Sequence, residues 1–182
     1  MSNHHESTTD RPSGTDPSAA PLVSSAQLAL REYPLVHINE ERFYTLQEWA
    51  RRISDTTTGT AKDHLTGLLG EDALAQQLGI TDDLTTEVYP DGGDGGVDLR
   101  FHGATIDVKT VGRHSTDPAL TVGAHRQLTA DYYVLASRVG QSDVRLIGYA
   151  PREFITEAPT LTHEDRSYHR VTQECLFPIP EF

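Results

Sequence analysis

The stretch from Val97 to Thr110 constrains the fold more than any other part of this chain. His102-Gly103 divides it into two runs in which apolar and polar residues alternate with the period of a strand. With His102 and Gly103 at the tip of a tight hairpin, Val97 faces Val108, Leu99 faces Ile106 and Phe101 faces Ala104. The other side then carries Asp98 against Asp107 and Arg100 against Thr105, with Lys109 beside Asp107. This register sorts the apolar residues to one face. It also opposes two carboxylates at positions whose Cβ atoms lie ~4.5–5.5 Å apart, where like charges destabilise a sheet. A hard divalent cation offsets such repulsion, because carboxylate oxygens are its preferred ligands. Lys109 offsets part of it unaided, and an amphipathic hairpin with a solvated Asp–Asp–Lys face is the alternative.

The surroundings favour the cation. Lys109 is one of only 2 lysines, the other being Lys62, in a chain that otherwise uses 13 arginines. Residues 71–99 hold eight acids, Glu71 and Asp72 first and Asp98 last, and no base. A mildly basic segment, 100–152, follows. Acids gathered at a motif beside a basic stretch suit a metal site next to a phosphate-binding surface; a solvated charged face is the plainer reading. The net charge of −12 argues against nucleic acid as a partner only if it is not a habit of the source proteome.

Elsewhere the pattern is that of one domain. Residues 1–25 are rich in Ser, Thr, Pro, Asp and His and read as a disordered polar tail, leaving 26–182 as a single domain with its core over about 61–149. Asn39 is a fitting N-cap for a helix bearing Phe43, Leu46, Trp49, Ala50 and Ile53 at helical spacing. A second helix over about Ala61–Leu78 is apolar on two sides, which predicts packing on two sides, and Gly79 suits its C-cap. Strands are predicted over Leu84–Tyr89, Val97–Phe101, Ala104–Thr110, Tyr132–Ser137 and Val144–Tyr149, with a short one at Leu120–Val122. One or two helical turns fit Ala124–Thr129, and a short helix fits Pro151 to Glu157. Tyr168–Ile179 reads as an extended or strand-like closure, and His163–His169 as a surface loop without metalloprotease spacing. The order predicts an α/β fold, a mixed central sheet with flanking helices. No apolar run is long enough to span a membrane, no secretory signal is evident, and the single Cys175 excludes a disulfide framework. An intracellular, cytoplasmic protein is the expectation.

Gly92-Gly-Asp-Gly-Gly-Val-Asp98 followed by Ile106-Asp-Val-Lys109 resembles the active-site core of the PD-(D/E)XK nuclease superfamily, which includes restriction endonucleases and Holliday-junction resolvases. The resemblance spans about Ala61–Tyr149 and implies a restriction-endonuclease-like αβββαβ core. It implies that Asp98 is the motif aspartate and that Asp107 and Lys109 are the (D/E)-X-K pair. It also implies that Glu71 is the glutamate of the first core helix. Val97 stands where the motif usually has proline. The implied activity is Mg²⁺-dependent hydrolysis of DNA phosphodiesters, with Mn²⁺ as a substitute. Asp98, Asp107 and the Val108 carbonyl would hold one metal ion, and Glu71 a second one or a water. Arg100, Arg113, His125, Arg126 and Gln127 would contact nucleic acid, and a homodimer would suit cutting of two strands. An RNA-cleaving member, or an inactive nucleic-acid-binding or interaction module, are the alternatives.

Overall fold

The computed structural model describes residues 33–81, 96–112, 117–125 and 127–180. The tail over 1–25, the strand expected at Leu84–Tyr89 and most of the glycine-rich turn before Val97 lie outside the described residues.

A short strand β1 (Leu35–His37) leads into helix α1 (Glu40–Ser54). Asn39 caps α1 as expected, its side chain accepting from the Arg42 N–H at 2.9 Å. Phe43, Leu46 and Ala50 form the buried stripe. Helix α2 (Ala61–Leu78) starts in a reciprocal capping box between Thr60 and Asp63 and stops at Gly79, whose φ of 69° needs a residue without Cβ strain. As its two-sided pattern predicted, α2 is buried along both faces, between α1 and a sheet.

That sheet has five strands in the order β1-β6-β5-β3-β2, with β2 Leu99–Phe101, β3 Ala104–Val111, β5 Tyr132–Arg138 and β6 Asp143–Pro151. β3 pairs antiparallel with β2 and parallel with β5, so the sheet is mixed and the α/β class holds. A second sheet of three strands, ordered β4-β8-β7, is built from β4 (Ala119–Gly123), β7 (Thr160–His163) and β8 (Arg166–Thr172). Helix α3 (Arg152–Glu157) and a 3-10 turn at Gln173–Cys175 complete the fold.

Two cores result. One joins α1 and α2 to the sheet through Leu69, Leu74, Ile106, Val108 and Val134. The other joins the opposite face of that sheet to the small sheet through Leu120, Val122, Tyr133, Leu135, Ile147 and Val171. The layers are therefore helix, sheet and sheet.

Three expectations need correction. Among the described residues of 124–129 there is a turn but no helix, and the crossover from β3 to β5 is occupied by β4. The segment His163–His169 is not a loop but the turn and arms of the β7–β8 hairpin, and β8 pairs with β4. Its turn residues Glu164 and Asp165 adopt φ of 48° and 63°, so acidic residues stand where Asn-Gly would have advertised a hairpin. Finally, the first arm of the central hairpin begins at Leu99 rather than Val97. Among the described residues no helix is long and apolar enough to cross a membrane.

Candidate functional site

The central hairpin follows the expected register where it is paired: Leu99 with Ile106, Arg100 with Thr105 and Phe101 with Ala104. Its tip has φ of 49° at His102 and 85° at Gly103, the two positive values of the tight turn that matches strand twist. Beyond Leu99 the register fails. The Asp98 N–H donates to the Ile106 carbonyl at 2.8 Å, one residue short of the Asp107 partner that the hairpin arithmetic gives it. The Asp98 carboxylate instead accepts the Val108 N–H at 2.6 Å. The predicted face-to-face opposition of Asp98 and Asp107 is thus replaced by a side chain that closes the ladder in the plane of the sheet. A charge-assisted bond of this length relieves much of the repulsion inferred from the sequence.

Strand alternation settles the faces. Ile106 and Val108 point into the helix-side core, and Thr110 has the same parity. Asp107 and Lys109 point to the other side, which Arg100 shares through its pairing with Thr105. Asp107 is almost wholly buried, its side chain 7% exposed, and forms an ion pair with the Lys109 ammonium, which is 41% exposed. Asp107 also aligns with Tyr133 across the parallel β3–β5 pair. Burial first, and then the neighbouring Asp107 charge, push the Tyr133 phenol above its ordinary value.

Glu71 is placed differently. It follows Gly70 on α2, and Gly70 is where that helix comes closest to β3: a Cβ built there would lie 1.9 Å from Thr110 Oγ1. Glu71 is half-buried on the helix side of the sheet, whereas Asp107 and Lys109 occupy the far side. The structure therefore sets Asp98 against the Val108 N–H and Lys109 against Asp107, with Arg100 on the same face as that ion pair. Glu71 comes from α2, the helix packed against the other face of the sheet. Among the described residues, no three His, Cys, Asp or Glu side chains gather closely enough to hold a metal ion. His125 and Gln127 are exposed after β4, and Arg113 and Arg126 lie outside the described residues.

Sequence reasoning missed Asp131. Its carboxylate accepts from the Thr105 N–H at 2.9 Å and the Thr105 hydroxyl at 2.8 Å, and pairs with Arg152 at 2.6 Å. These bonds, Thr105 before Arg152, hold its carboxyl below the usual carboxylate range. Asp131 thereby ties the starts of β3, β5 and α3 together and fixes the strand that carries Asp107. The Thr129 hydroxyl donates to the Gly96 carbonyl at 3.3 Å, linking the approach to Asp98 to the same loop. Tyr133 was missed as well, because its alignment with Asp107 depends on a parallel register that no local pattern announces.

No protein-family model matches the chain, and no curated protein or solved structure matches it.

Proposed function

We propose that the protein is a metal-dependent nuclease that hydrolyses phosphodiester bonds of DNA, built on a restriction-endonuclease-like core. The observation that carries the reading is the Asp98 carboxylate seated on the Val108 N–H, next along β3 to the Asp107–Lys109 ion pair. The parallel placement of β5 beside β3 supports it further.

The donor chemistry suits a hard cation. In a strand, the N–H and C=O of one residue point to the same side, and the Val108 N–H points at Asp98. The Val108 carbonyl therefore opens towards Asp98 where β2 has ended. Two carboxylates and one carbonyl form an all-oxygen set of the kind Mg²⁺ takes with water completing its shell. Asp98, Asp107 and Val108 would hold the ion, which would supply polarisation of the phosphoryl oxygen and a more acidic bound water. The Lys109 ammonium would position the attacking water and stabilise charge developing on the phosphate. Its ion pair with Asp107 keeps it at that point. Arg100, exposed on the same face, would contact the backbone phosphates. Glu71, on α2, would hold a second metal ion or orient a water.

The ion pair also favours a second reading, a nucleic-acid-binding module without turnover, since Lys109 balances the Asp107 charge without a metal. Incubation with duplex, single-stranded, supercoiled and four-way-junction DNA and with RNA, in Mg²⁺, Mn²⁺ or EDTA, separates the two. The nuclease reading expects metal-dependent cutting that Asp107→Ala and Lys109→Ala each reduce by about a hundredfold or more. A folded protein that cuts nothing under any of these conditions moves the assignment to the binding module.

A further inference from the structure

The outer face of the small sheet carries a second constellation. On β8, Arg166, Tyr168 and Arg170 alternate onto the side opposite the buried Val171. Across the β4–β8 pair, Thr121 lies beside Arg170 and Gly123 beside Tyr168. The His125 ring folds back over Gly123, where a Cβ would lie 2.9 Å from it. These residues and Ser167 line a concave pocket of about 290 Å³. On the far side of β8, Leu161 pairs with Tyr168 and His163 with Arg166, and Leu161 is exposed. The acids nearby are Asp117, which approaches Arg170 at 3.8 Å, and Glu164 and Asp165 at the hairpin turn.

Two guanidinium groups and an imidazole flanking a half-buried tyrosine are unexpected in a chain with 15 Lys and Arg against 27 Asp and Glu. The tyrosine offers a ring to a flat partner, and the arginines two residues to either side of it on the strand offer cations to anionic groups flanking that partner. The small residues Thr121 and Gly123 line the floor between them, with the His125 ring lying over Gly123 as one wall. Bases inside a duplex present only their edges, whereas an unpaired base can stack on a recessed ring. We infer that this face holds single-stranded nucleic acid, one base against Tyr168 and the adjoining phosphates on Arg166 and Arg170, with His125 at the pocket wall. The inference deepens the nuclease reading by naming the form of substrate held, and rests on it for that purpose. Thr129, four residues after His125 in sequence, bonds the Gly96 carbonyl at the approach to Asp98.

The test is fluorescence anisotropy of the full chain with short labelled oligo(dT), oligo(rU) and a duplex, all in EDTA and across a salt series. Both single strands or either one should bind more tightly than the duplex. Tyr168→Ala should weaken single-strand binding about tenfold, while Tyr168→Phe, which keeps the ring, should bind as the parent does. Arg166→Ala with Arg170→Ala should lower the slope of log affinity against log salt by about 1.4, two contacts at ~0.7 each for a single strand. A thermal melt of each variant establishes that it is folded. Duplex binding at least as tight as single-strand binding, equal loss in Tyr168→Phe and Tyr168→Ala, or affinity indifferent to all these changes would overturn the inference. Because no metal is present, a protein that binds single strands but never cuts overturns only the nuclease reading. One that cuts while ignoring these substitutions overturns only this one.

Discussion

Gly70→Ala measures how tightly α2 is seated on the strand that carries the candidate site. The substitution gains about 1 kcal/mol of helix propensity, since glycine is the poorer helix former. Against this stands Thr110, whose Oγ1, Cβ and Cγ2 would lie 1.9, 3.0 and 3.2 Å from the new methyl carbon. Turning Thr110 about χ1 removes the hydroxyl from the contact but leaves its Cβ at 3.0 Å, so the helix itself must lift. Overpacking a well-filled core costs about 1–3 kcal/mol, and a contact this short belongs at the upper end. The expected net loss is about 2 kcal/mol, or roughly 4–8 °C in Tm for a chain of this length. Thr110→Ala is nearly neutral alone, because it deletes a buried hydroxyl that has no hydrogen-bond partner along with one methyl group. In that background Gly70→Ala should cost less than about 1 kcal/mol, because only the Cβ contact remains. Urea denaturation of the four proteins gives the cycle. Equal stability of Gly70→Ala and the parent, or an equal penalty in both backgrounds, would show that α2 and β3 do not meet at this point.

Three further outcomes follow from the same geometry. Asp72 is fully buried on α2, paired with Arg42 at 2.6 Å and bonded by Gln76 at 2.7 Å, so Asp72→Ala should cost about 3–5 kcal/mol in urea denaturation by stranding the guanidinium. Asp98→Ala, which leaves the Val108 N–H without its acceptor, should cost about 1–3 kcal/mol; Asp98→Asn keeps an acceptor oxygen and should melt nearer the parent, yet lose metal-dependent cutting. Asp131 has a folded-state pKa below its unfolded value of about 3.9, so its stabilisation is present above that value and fades as pH falls through the lower one. Asp131→Asn should therefore flatten the acid side of a plot of urea midpoint against pH, and an unchanged slope there would remove Asp131 from the account.

Local signals carried the helices and the hairpin. Asn39, the two apolar stripes of α2 and Gly79 act within a few residues of one another, and alternation across His102-Gly103 specified three cross-strand pairs correctly. What failed was non-local. The turn of Asp98 towards Val108 depends on where β2 ends, which simple alternation does not encode. In the small sheet the pattern marked Leu120–Val122 within β4 and strand-like chain from Tyr168 in β8, but β7 was missed: Thr160–His163 is exposed throughout and lacks the inside–outside contrast that identifies a strand. Strand β1 was too short to register at all. The grouping of Asp107 with Lys109 was legible because they stand two residues apart on one strand, while the position of Glu71 depended on the way α2 lies against the sheet.

The route of the chain through β4 also sets an order of assembly. β4 follows β3 in sequence, yet its only strand partner among the described residues is β8, which is synthesised after β5, β6, α3 and β7. During translation the backbone edge of β4 that pairs with β8 must wait until Arg166–Thr172 leaves the ribosome, although Leu120 and Val122 can already pack on Tyr133, Leu135 and Ile147. Long-range pairing of this kind is slow and exposes edges to other chains. A nascent chain halted before β8 would carry Asp98, Asp107 and Lys109 complete but lack the layer that covers the sheet beneath them, making the last strands the step that decides between a finished molecule and an aggregate.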